Sequence, residues 1–348
     1  MASTGRFTTL CAVVALAFIA PHSPAQVQDS TRVTVMALGD VNLGRSVGQV
    51  LLTGDIAYPF GEMQQVLVSY DVVFANLESQ IADLGGETQH PSDRYRFCAP
   101  PQAAQALRLG GISVVSTSNN HAFDYGREAL AQTIDFLAAE GVLWTGTSKD
   151  SVELFPPAVV ERNGIRLGFL AYTEFVNRGK EWSGRISVFE GKRMQREISD
   201  LRQVADLVIA SYHGGVEYAD APSKYTLGQM RMLADAGADV VFGHHPHVPQ
   251  GIELYKNTWI FYSLGNCLFL QQQREWTQKS FGASLTVRKS GGQTKVENVA
   301  LVPFLASNRP TFSVSEEVVE SILTRLQRLS SVRITRKGTE LVVSRFDH

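Results

Sequence analysis

Three of the chain's eight histidines fall within four positions, in the stretch DVVFGHHPH that runs from Asp239 to His247. Imidazole is the commonest side-chain metal ligand and also the group that changes charge near neutral pH. The stretch begins with a short β-branched run, so its histidines sit at a strand end. Four other runs end in the same manner. VTVMAL (33–38) leads into Gly39-Asp40, and VVFA (72–75) leads into Asn76-Leu77-Glu78. ISVVST (112–117) leads into Ser118-Asn119-Asn120-His121, and LVIASY (207–212) leads into His213-Gly214-Gly215. A single strand-end Asp or Asn has an ordinary explanation as a helix cap. Five strand ends that all offer oxygen or imidazole donors predict one shared site. Mixed carboxylate, amide and imidazole donors suit a divalent ion such as zinc, manganese or iron, and the lack of cysteine at these points argues against a structural zinc.

The candidate ligands are Asp40, Asn42, Glu78, Asn120, His213, His244, His245 and His247. These are more donors than one ion takes, which predicts two ions. Such pairs lie roughly 3.5–4 Å apart, share a carboxylate, activate a water and stabilise both oxygens of an in-line displacement. His121 is then free for another role. With Asp124 three residues later, it reads as an imidazole held by a carboxylate, a general acid. Arg94 and Arg96, in RYRF, either clamp an anion or are solvated loop charges. Glu217 lines the site or closes a turn. Glu253 orients a ligand histidine or serves the fold.

These strand ends need a scaffold in which strands and helices alternate, which is the α/β class. Helices are expected over PPQAAQALRLGG, over REALAQTIDFLAAEG ending at Gly141, and over SKYTLGQMRMLADAG with Ser223 as N-cap and Gly237 as stop. Hairpins are expected around Asn163-Gly164, near Lys256-Asn257, within ASLTVRKSGGQTKVENVALVPF, and at Lys337-Gly338. A capping box from Ser313 to Glu316 predicts a helix to about Leu329.

Hydrophobic residues make up 44% of the 348 and charged residues 19%, enough apolar mass for a core. The net charge of −2 speaks against nucleic acid as a partner. Arg6, the apolar stretch Leu10–Ala20 and the small residues Ser23 and Ala25 predict a cleaved signal peptide over residues 1–25 and hence an exported protein, periplasmic, cell-surface or secreted. No later run reaches the length of a transmembrane helix. Cys98 and Cys267 are expected to be free thiols.

The segments GDVNLG, VVFANLES, YRFCAPP, SNNHAFDYG, YHGGVEY, GADVVFGHHPHVPQGIE and FYSLGN together resemble the CapA family, the poly-γ-glutamate capsule synthesis proteins. That family is similar in fold to the calcineurin-like metallophosphoesterases. The resemblance covers roughly residues 33 to 305. It implies a four-layer sandwich, two mixed β-sheets flanked by helices, over residues 26–310, with residues 311–348 as a C-terminal helix and hairpin elaboration. It implies metal roles for Asp40, Asn42, Glu78, Asn120, His213, His245 and His247 and a catalytic role for His121; the residues themselves add Asp124 as its partner and Arg94, Arg96 and Glu217 as candidate substrate contacts. Asn42 stands where the related enzymes carry a histidine, and Glu78 where they carry an aspartate. Gly214 and Cys267 replace residues that are commonly tryptophan and phenylalanine. The final histidine motif is one residue longer and is matched through His245-Pro246-His247, with His244 as the alternative. Two functions follow. One is a metal-dependent hydrolase acting in synthesis, release or export of an anionic capsule polymer, alongside other capsule-assembly proteins. The other is an accessory protein that binds metal or polymer without turnover.

Overall fold

The computed structural model describes residues 1–2 and 30–346; residues 3–25 of the expected signal peptide lie outside that range. Two β-sheets face each other. In the first, Thr31–Val41, Val72–Leu77, Val114–Ser116 and Leu143–Thr145 run parallel. The long hairpin of Lys279–Ser290 and Gln293–Leu305 pairs antiparallel with the other side of Thr31–Val41. The second sheet orders Ile252–Tyr255, Thr258–Phe261, Val240–His244, Leu207–His213, Ile165–Thr173 and Ala158–Arg162, with the four middle strands parallel.

The β-branched runs form these strands because both of their faces are covered. Val72–Leu77 and Leu207–His213 are buried at every residue. Between the sheets lies one apolar layer, where the Phe74 ring stacks against Phe169 at 5.6 Å and Phe242 at 5.9 Å. A second layer, with Val47, Leu51, Leu107 and Leu137, packs helices on the outer face of the first sheet. A third, with Met194, Ile198, Met230 and Leu233, does the same for the second sheet. The result is the four-layer sandwich of two mixed sheets flanked by helices.

Local chemistry sets the element ends. Ser223 Oγ accepts the Thr226 amide at 3.1 Å and starts Lys224–Asp235. Gly141 and Gly237 follow their helices with positive φ. Asn163 and Gly164 both take positive φ in the tight turn before Ile165. The C-terminal helix, Glu316–Leu329, is capped by Ser315 rather than Ser313. Ser315 Oγ reaches the Val318 amide, whereas the Ser313 amide is already held in a turn by Thr311 Oγ1. That helix sends Val319, Ile322 and Leu326 into the layer between the sheets, and the hairpin of Arg333–Lys337 and Glu340–Ser344 extends the first sheet. No helix among the described residues is long and apolar enough to cross a membrane. Cys98 and Cys267 are free and buried.

Strand register brings the chemistry together. Asp40 pairs with Asn76 on one side and Asn266 on the other, and His213 lies beside His244 across the neighbouring strands. Two glycines permit close approach. A Cβ on Gly39 would stand 1.9 Å from the Gly265 carbonyl oxygen, and one on Gly243 would stand 2.0 Å from that of Tyr262.

Candidate metal centre

Both sheets point the carboxyl ends of their parallel strands into one crevice, the place where ligands gather in open α/β folds. Asp40 is the penultimate residue of its strand and Glu78 directly follows the next; both are fully buried. Neither carboxylate oxygen of Glu78 has a hydrogen-bond partner among the described residues. Three imidazoles ring it instead. Oε1 lies 3.7 Å from His213 Nε2, 3.9 Å from His247 Nε2 and 4.0 Å from His121 Nε2. A buried carboxylate left unpaired is costly unless something compensates it. Burial pushes the Glu78 pKa well above its ordinary value, and the nearby Asp40 charge adds to this.

Ligand atoms of Glu78, His245 and His247 lie within 4.8 Å of one another, and so do those of Asp40, Glu78 and His213. Glu78 belongs to both groups. The orphaned oxygens, the unpartnered His245 Nδ1 and the donor chemistry all fit divalent cations. Burial lowers the His213 pKa well below the usual value, and burial with the neighbouring His247 takes His245 down to about 3. Both rings are therefore neutral, as ligands must be. Burial also opposes charge on His247, but Glu78 and Asp40 outweigh it and raise its pKa to about 9. For Asp40, burial works upward and the facing imidazoles of His244 and His247 hold it well below the carboxylate range.

The loop after Val240–His244 is unusual. His245 has φ +95° and His247 φ +59°, a region that side-chain-bearing residues seldom occupy and that clusters at functional sites. These turns bring the two rings to 6.0 Å, with His213 5.0 Å from His245. His244 ends the strand, fully buried, with Nδ1 3.5 Å from Asp40 Oδ1 and its ring against Phe74. It lies outside both ligand groups.

The remaining expected residues divide. Asn120 Oδ1 meets His213 Nε2 at 2.8 Å. Asn42 is turned to local use, its Oδ1 accepting the Gly44 amide at 2.9 Å. His121 Nδ1 bonds Asp124 Oδ2 at 2.8 Å, leaving Nε2 aimed at Glu78. Phe97 packs on the His121 ring at 4.3 Å and fixes its plane. Arg96 donates to the Asp124 carbonyl at 3.1 Å, which supports the His121 carboxylate partner. Arg94 is exposed and donates to the Tyr95 hydroxyl at 2.6 Å. Glu217 is exposed at the rim, within electrostatic reach of Glu78 and His247. Glu253 bonds Arg231 and the Tyr262 hydroxyl, a structural set. Gly214 leaves room for Glu174, whose Oε2 would stand 2.6 Å from a Cβ there.

Three amides complete the centre beyond the expected set. Asn76 Nδ2 donates to Asp40 Oδ1 at 2.9 Å and approaches His213 Nδ1 at 3.1 Å. Asn119 donates to the Leu77 carbonyl and accepts the His121 amide. Asn266 Oδ1 meets His247 Nδ1 at 2.9 Å, which turns Nε2 toward Glu78. Their signal was positional, since each closes one of the strand-end motifs.

A family model described as "Bacterial capsule synthesis protein PGA_cap" matches residues 34–271. The capsule biosynthesis protein CapA of Bacillus anthracis is 28% identical over 264 residues, covering 74% of this chain and 64% of that protein. The PGA biosynthesis protein CapA of Bacillus subtilis is 27% identical over 245 residues, covering 69% and 63%. The chain thus spans somewhat under two thirds of either relative. Among solved structures, a 5'-nucleotidase from Candida albicans aligns at 12% identity and a TM-score of 0.43, over 72% of this chain and 47% of that one.

Proposed function

The chain belongs to the bacterial capsule synthesis protein PGA_cap family, and from that premise we propose a metal-dependent hydrolase that acts in the synthesis, release or export of poly-γ-glutamate or a related anionic capsule polymer. The polymer is drawn from the relatives, two of which are named for capsule or PGA biosynthesis. We place its action outside the cytoplasm, after cleavage behind Ala25. The observation that carries the reading is Glu78, a fully buried carboxylate with no hydrogen-bond partner among the described residues, ringed by three imidazoles.

Asp40, Glu78, His213, His245 and His247, with Asn120, would hold one or two divalent ions, and Glu78 is the group they would share. Bound there, the ions supply an activated water and neutralise charge that develops on the substrate. His121 holds a proton on its ring, directed by Nε2 into the crevice, and delivers it to the leaving group. Asp124 fixes the ring through Nδ1 and Arg96 steadies Asp124.

The test is metal analysis of the purified chain, followed by assays on γ-glutamyl and phosphodiester substrates with and without Mn²⁺. His121→Ala lowers turnover by about 10²–10⁴-fold with metal content unchanged. Stoichiometric metal without turnover on any of these substrates instead favours the accessory role, and a chain that binds no divalent ion removes the metal from both readings.

A further inference from the structure

Next to the ligand cluster lies a charged side chain that the ligand set does not use. Arg45 opens the helix Arg45–Leu52 with a left-handed backbone, φ +52°. Its guanidinium carbon sits 4.5 Å from the centroid of Phe97 and 5.3 Å from that of Phe269. Those two rings also wall the centre. Phe97 packs on His121 at 4.3 Å and Phe269 on His247 at 5.0 Å. The guanidinium is therefore one ring away from the acid on one side and from a ligand on the other.

Within the described residues that guanidinium makes a single hydrogen bond, from Nη2 to the Arg94 carbonyl at 3.2 Å. Nε is buried without a partner. The short ionic contacts of Glu78 are all with histidines; it reaches Arg45 through space and makes no ion pair with it. A half-buried cation packed against two mutually perpendicular rings, with a single hydrogen bond made, is a preformed receptor for a planar oxyanion. The cavity beside it is lined by Asn42, Gly44, Arg45 and Phe269. Tyr95 and Tyr218 lie within its electrostatic reach. Arg274 stacks over Tyr218 at 4.5 Å and adds a second guanidinium to the rim.

We propose that Arg45 forms an anion subsite beside the metal centre and takes a substrate carboxylate through its Nη groups, next to the bond that is cleaved. The subsite rests on the reading of an anionic polymer substrate above, but its anion binding is measurable without metal or turnover. A carboxylate and a phosphate share this chemistry, and the test separates them.

The full chain is titrated calorimetrically at low salt with tri-γ-glutamate, its α-carboxamide and inorganic phosphate, both metal-free and with Mn²⁺. The wild type binds tri-γ-glutamate and the amide at least tenfold more weakly. Arg45→Gln weakens tri-γ-glutamate by about tenfold or more, and Arg45→Lys falls between because it keeps charge without the fork. Mn²⁺ stoichiometry and melting temperature stay the same in both variants. Wild-type affinity in Arg45→Gln overturns the proposal, and so does loss of Mn²⁺ binding along with the peptide, which makes Arg45 a structural prop. Arg45-dependent binding of phosphate with none of tri-γ-glutamate overturns the carboxylate assignment. Arg45-dependent peptide binding in a chain that takes up no Mn²⁺ sustains the subsite while the metal reading fails.

Discussion

Replacing Glu78 with glutamine separates the metal centre from the fold. Without metal, burial and the Asp40 charge push the Glu78 pKa well above its ordinary value, so the site disfavours its charged form. Glutamine is then a neutral replacement of nearly the same shape, and neither oxygen of Glu78 has a hydrogen bond to lose. The metal-free variant should stay within about 1 kcal/mol of the wild type. With metal the two diverge. At a free concentration of about 100 times Kd, binding stabilises the wild type by roughly 2.7 kcal/mol. For about 320 described residues the unfolding entropy near 60 °C is about 0.7 kcal/mol/K, so this amounts to a rise of roughly 4 °C. Glu78 belongs to both ligand groups, so its loss weakens every ion. If Kd rises about 100-fold, the gain at the same concentration falls to roughly 0.4 kcal/mol, under about 1 °C. Scanning fluorimetry with Mn²⁺ and with a chelator measures all four melting points. Equal metal-induced shifts in both proteins refute Glu78 as a ligand. A drop of more than about 5 °C in the metal-free variant refutes the claim that the fold does not need it.

Other outcomes follow from the same geometry. Metal binding at pH 7 should release protons, because His247, raised to about 9, holds one in the metal-free chain and must lose it to ligate. Affinity therefore climbs with pH as His247 titrates toward about 9; titrations in buffers of different ionisation enthalpy count the protons, and a flat profile from about pH 6 to 9 contradicts this. Gly39→Ala forces a Cβ to within 1.9 Å of the Gly265 carbonyl oxygen beside Asp40, so urea unfolding should show a loss of about 3 kcal/mol or more. Burial pushes Cys98 up to about 12 and Cys267 higher still, so neither thiol should react with a disulfide reagent at about pH 8 until the chain is unfolded.

Much of the centre was legible because its donors cluster where β-branched runs stop. Asp40, Glu78, His213, His245 and His247 converge as their strand-end positions require. What could not be read was the lateral partner. Asn76 and Asn266 are neighbours of Asp40 only through parallel register, and register is a property of the assembled sheet. Asn42 has a ligand's spacing, but a local bond to the Gly44 amide takes its oxygen. Arg45 escaped notice because its setting comes from Phe97 and Phe269, distant in sequence. The helix Gly191–Arg202 was missed for a local reason. Its N-cap is Glu190, whose carboxylate accepts the Lys192 and Arg193 amides, and glutamate is not among the preferred caps. His244 differs from His245 only in the backbone, since the strand continues through the first and turns to positive φ at the second.

The backbone amide of His245 donates to Asp40 Oδ2 across 205 positions of sequence. A centre joined over that distance forms only after both sheets have found their register, so the proposed metal would be captured late in folding. The ion then stabilises the finished state and not the barrier that leads to it. Its effect falls on the rate at which the native chain opens, while the rate of folding stays where the topology sets it. For a chain exported as proposed, where one that unfolds is not rescued, such a centre would act as a brake on loss of the protein.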